Sequence, residues 1–127
     1  MLESNSQNFN HLKIHSQYSI CEGAVKIDDL QDFSKSNKIK ALGLCDTSNL
    51  CGALEFAEKI SKVGTQPIIG TQIKFRYDDF IGLLPLFALN EEGYKRIINL
   101  SSISFLENDE LSDPHIDFNE LLKDNTG

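Results

Sequence analysis

Three observations predict an α/β fold of barrel or open-sheet type for this chain. The first is the stretch from Phe9 to Gly23, FNHLKIHSQYSICEG, which starts as a strand and ends in a polar loop. The second is the short, nearly continuous apolar run KALGLCD at 40–46, the pattern of a strand covered on both faces in a parallel sheet. The third is that each run leads into a segment of helical spacing, so that two βα units open the chain.

Read with the period of a strand, Phe9, His11, Lys13 and His15 share one face, and Leu12 and Ile14 point the other way into a core. Two imidazoles and an ammonium in one column suit the mouth of a site where strand ends converge. The alternative is that His11 and His15 are core or rim histidines bonded to backbone. The loop from Ser16 to Gly23 adds a carboxylate, Glu22. Residues 1–8 are expected to form a flexible leader, with the domain proper at 9–127.

Ile27, Leu30 and Phe33 then recur at threes, with Asp28 and Asp29 in the first turn and lysines at the end, which predicts a helix at about 26–36. The strand at 40–46 ends in Asp46, which is either a site carboxylate or a cap for the turn Thr47-Ser48-Asn49. A second helix at about 50–63 carries the stripe Ala53, Phe56, Ala57, Ile60 and Val63, with Glu55–Lys59 and Glu58–Lys62 as outward pairs. Gly64 ends it. QPIIGTQIKFRY at 66–77 reads as a strand interrupted by Gly70. FIGLLPLFALN at 80–90 reads as its hairpin partner, an edge or bulged strand because Pro85 lacks an N–H. Asn90 is an N-cap for a helix to about residue 105, striped by Tyr94, Ile97, Ile98 and Phe105. After an acidic loop at 107–116, Asp117 and Glu120 suggest a capping box for a last short helix. The predicted order is β-α-β-α-β-β-α-α, with no later strand, which is roughly half of a barrel. A truncated barrel is therefore expected.

The chain has 127 residues, 40% of them apolar and 24% charged, as in an ordinary globular domain. A formal net charge of −7 argues against direct contact with nucleic acid. No apolar run approaches the ~20 residues of a membrane span, and the polar start MLESNSQNFN lacks a signal-peptide pattern. Cys21, Cys45 and Cys51 form no C-x-x-C pair. Reduced thiols in a cytoplasmic protein are expected, with Cys45 and Cys51 as small packing residues.

HLKIHSQYSICEGAVKI, ALGLCDTSNLCGALEF and QPIIGTQI, in this order and spacing, resemble the PHP (polymerase and histidinol phosphatase) domain family. The branch they resemble is the amino-terminal domain of the bacterial DNA polymerase III alpha subunit. The resemblance spans about 9–123 and implies the N-terminal part of a distorted (β/α)7 barrel with a metal site at the C-terminal strand ends. In members with an intact site, three metals draw on a first-strand H-x-H, a loop carboxylate, an Asp-His after the second strand and a Glu after the PIIG turn. Here the H-x-H falls on Lys13 and His15, the Asp-His on Asp46 and Thr47, and the Glu on Gln72.

His15, Glu22 and Asp46 are thus vestigial ligand positions, and Lys13, Thr47 and Gln72 replace ligands. A lysine ammonium has no lone pair for a metal, and a neutral amide lacks the charge of a carboxylate. Lys13 is expected to fill the emptied pocket and pair with Asp46 or Glu22, or else to be a solvated strand-end lysine. The resemblance implies a domain with no bound metal and no catalytic residues of its own. Such a domain would support the rest of the polymerase alpha subunit and replisome partners such as the proofreading exonuclease; Mg2+ would serve the parent polymerase elsewhere. The rival readings are a metal-dependent phosphoesterase or 3′–5′ exonuclease using His15, Glu22 and Asp46, and a free-standing α/β binding module.

Overall fold

The structure, a computed structural model, describes residues 9–109 and 111–127. The leader expected at 1–8 lies outside them. Helix α1 spans Ile27–Asn37, strand β1 Ala41–Thr47, helix α2 Ala53–Lys62, strand β2 Gln66–Tyr77 and strand β3 Phe80–Phe87. Helix α3 spans Glu91–Leu106, strand β4 Ile116–Asp117 and helix α4 Phe118–Lys123.

β2 organises the sheet because it is longer than any partner. Its first half pairs in parallel with β1, from Ala41 opposite Gln66 to Thr47 opposite Gln72. Its second half pairs antiparallel with β3, from Gly70 opposite Phe87 to Tyr77 opposite Phe80. The expected hairpin is therefore present, and Gly70 does not interrupt the strand. Beyond the end of β1, β4 takes up parallel pairing with β2 at Phe75 and Arg76. No later strand was expected after residue 90. A two-residue strand carries no periodicity to read, and it forms because β2 outruns β1 and offers it a free edge.

The alternation of the strands sends one face of the sheet to the helices. Leu42, Leu44, Ile27, Leu30, Phe56 and Ile60 form one core cluster, with Ile14, Tyr18 and Ile69 against it. Ile73, Leu100, Ile116 and Leu121 form a second, with Phe75, Leu84 and Leu86 against it. Each fully buried side chain of this size contributes about 1.5–3 kcal/mol. α2 buries the expected stripe through Ala53, Phe56 and Ile60, and Gly64 follows it at φ 81. Two of the other helices, α1 and α3, bury less of their apolar stripe than expected. α1 buries Ile27, Leu30 and Ser34 and leaves Phe33 exposed; α3 buries Gly93, Ile97, Leu100 and Ser104 and leaves Ile98 and Phe105 exposed. Asn90 caps α3 by accepting a hydrogen bond from Gly93 N at 3.0 Å. Asp117 accepts from Asn119 N, but Glu120 turns to Lys123, so the reciprocal capping box is not made.

The first stretch is extended but forms no full strand. It touches β1 through an isolated parallel bridge, Ile14 to Leu44, with Gly43 N donating to His11 O at 2.7 Å and Cys45 N to Ile14 O at 2.8 Å. Ile14 reaches the core as expected, whereas Leu12 is 44% exposed. Leu12 lies against Gly43, which offers it no side chain to pack on. A β-carbon on Gly43 would stand 2.7 Å from the Leu12 Cα, so glycine permits the approach.

β3 is an edge strand, as Pro85 suggested. Ala88 N donates to Ile69 O across the hairpin, and Leu89 N donates to Gly127 O on the other side. Even-numbered β3 residues thus turn their backbone groups to β2, and odd-numbered ones turn theirs to the free edge. Pro85 is odd, so its missing N–H removes nothing from the hairpin ladder.

Candidate functional site

The polar residues gather where β1 ends, with Asp46 on the helix-side face of Leu42 and Leu44 and Thr47 on the other. Thr47 stands opposite Gln72 in the β1–β2 register, which puts both side chains on that face. The loop after Ile14 folds over these strand ends, held by Gln17 N donating to Val25 O at 2.9 Å and by turns within 16–23.

Asp46 is the centre of the cluster and only 1% exposed. Its Oδ1 accepts from Ser16 N at 2.6 Å and Ser19 Oγ at 2.8 Å, and its Oδ2 accepts from Ser16 Oγ at 2.7 Å. A buried carboxylate with three donors is electrostatically satisfied without a counter-ion. Its main-chain carbonyl accepts from Thr71 Oγ1 at 2.8 Å, and Ser19 Oγ accepts from Thr47 N at 3.0 Å. Asp46 therefore fastens the loop to the strand ends, and the turn after β1 is capped instead by Asn49, whose Oδ1 accepts from Cys51 N.

A second, outer layer contains Thr47, Glu22, His15 and Gln72. Thr47 Oγ1 donates to Glu22 Oε2 at 2.5 Å, and Gln72 Nε2 lies 3.4 Å from Thr47 Oγ1. Gln72 is buried, and its Oε1 has no partner among the described residues. His15 Nδ1 lies 3.5 Å from Ser19 Oγ and 4.0 Å from Glu22 Oε2. Both contacts are to the same ring nitrogen, so a serine–histidine–acid relay, which uses both, is not formed.

Five of the six positions singled out in the sequence, His15, Glu22, Asp46, Thr47 and Gln72, are thus brought together. Lys13 is not. It is exposed and makes no ion pair with Asp46 or Glu22; serine donors take both Asp46 oxygens, and Thr47 takes one oxygen of Glu22. Cys45 is a buried packing residue, and burial pushes its thiol up to about 11. Cys51 was expected to pack as well but is exposed in the turn before α2. Ser16 and Ser19 were missed. The available signal was Asp46 itself, a carboxylate at the end of an apolar run that needs donors from somewhere.

Both Asp46 oxygens are engaged by donors, one Glu22 oxygen is engaged, and no group of three or more His, Cys, Asp and Glu side chains among the described residues is disposed to hold an ion. Among them, too, no helix is long and apolar enough to cross a membrane.

A sheet with its helices on one face and polar groups gathered at its strand ends defines a domain of the βα-barrel class with the sheet left open. A family model described as PHP domain matches residues 11–127, and the chain belongs to that family. It is 41% identical over 116 residues to the DNA polymerase III subunit alpha of Rickettsia felis, a match covering 91% of this chain and 10% of the relative. The corresponding protein of Caulobacter vibrioides is 34% identical over 140 residues, covering 100% and 12%. That of Borreliella burgdorferi is 38% identical over 130 residues, covering 94% and 11%. The chain thus spans about a tenth of the length of these curated relatives. A solved structure of a putative metal-dependent phosphoesterase from Bifidobacterium adolescentis shares the fold, with a TM-score of 0.54 and 17% identity over 76% of this chain and 34% of that one.

Proposed function

We propose that this chain is the PHP segment of a DNA polymerase III alpha subunit, acting in DNA replication in the cytoplasm as a scaffold without hydrolytic chemistry of its own. The curated relatives support the polymerase context. One observation carries the non-catalytic role: Asp46, at a family ligand position, spends both carboxylate oxygens on Ser16 and Ser19. The departures at Lys13, Thr47 and Gln72 support the same reading. Its partners would be the rest of the polymerase chain and replisome subunits such as the proofreading exonuclease. The net charge of −7 argues against direct contact with DNA.

The test is the metal content of the protein purified without chelator, together with hydrolysis of bis-p-nitrophenyl phosphate in added Mn2+ or Zn2+. Metal far below one ion per chain, with no turnover, is expected. One or more ions per chain, with hydrolysis abolished by His15→Ala, would establish the phosphoesterase instead.

A further inference from the structure

We draw no further inference here: the strongest candidate, the cleft lined by Lys74, Arg76 and His115 where β4 meets β2, offers cations to a phosphate-like anion, which restates the established substrate class of the PHP family.

Discussion

Ser16 and Asp46, thirty positions apart, are joined twice, backbone N to Oδ1 at 2.6 Å and hydroxyl to Oδ2 at 2.7 Å. This pair of hydrogen bonds to a buried carboxylate locks the first loop onto the end of β1. Replacing Asp46 by Asn removes the charge and turns an amide N–H toward a donor. The expected cost is about 3 kcal/mol of unfolding free energy, read from urea denaturation. Ser16→Ala should cost less, about 1–2 kcal/mol, because Ser19 still serves the carboxylate.

Gly43 is tied to the same region through its contact with Leu12. Gly43→Ala should destabilise the protein by roughly 1–3 kcal/mol, since the added methyl meets backbone that cannot swing aside. Amide exchange at Gly43 and Cys45, which donate to His11 O and Ile14 O, should rise before that of β2. An effect spread evenly over the sheet would show that the first stretch is not separately held.

Legibility in the sequence followed the strength of the local pattern. α2 was readable because its apolar stripe, its Glu55–Lys59 pair and Gly64 all point to the same element. The hairpin was readable from its two apolar runs and acidic turn, and Asn90 from its place ahead of two glutamates. Phe33, Ile98 and Phe105 misled because helices here carry more apolar residues than their buried faces use. β4 was unreadable because its pairing depends on the length of β2, a property of a different segment. In the site, the family spacing located the six positions. It could not show that serines three apart in the loop would take over Asp46, since serine in a polar loop has no distinctive pattern.

Lys59 bridges Asp28 and Glu55, and Glu55 also accepts from Tyr18 Oη at 2.8 Å, linking the loop, α1 and α2. The hydrogen bond from Lys59, and then that from Tyr18, hold the Glu55 carboxyl below its usual range; hydrogen bonds to Asp28 and then Glu55 hold Lys59 above its own. The bond to Glu55 raises the Tyr18 phenol. A lowered carboxylate contributes stability above its unfolded pKa and loses it as pH falls through the folded value. A raised ammonium or phenol contributes below its unfolded pKa and loses it as pH rises through the folded value. The coupling between Glu55→Gln and Lys59→Met in a double-mutant cycle should therefore be flat near neutrality. It should fall below about pH 4 and again above about pH 10, and shrink with added salt because the groups are partly exposed.

The three thiols should separate by reactivity. Cys21 and Cys51 are exposed and should react with a thiol reagent at pH 8 in the native protein. Cys45, buried and pushed up to about 11, should react only on unfolding. Three equally fast thiols would show that the face of β1 opposite the helices is open.

The claim that hydrogen bonds rather than metal hold the strand-end cluster is tested most directly by thermal unfolding with excess EDTA and again with excess Mn2+ or Zn2+. The same midpoint in all conditions, with a large drop for Asp46→Asn, is the result expected of a carboxylate committed to Ser16 and Ser19. A midpoint that falls in EDTA and recovers with metal, in the parent but not in His15→Ala, would contradict it.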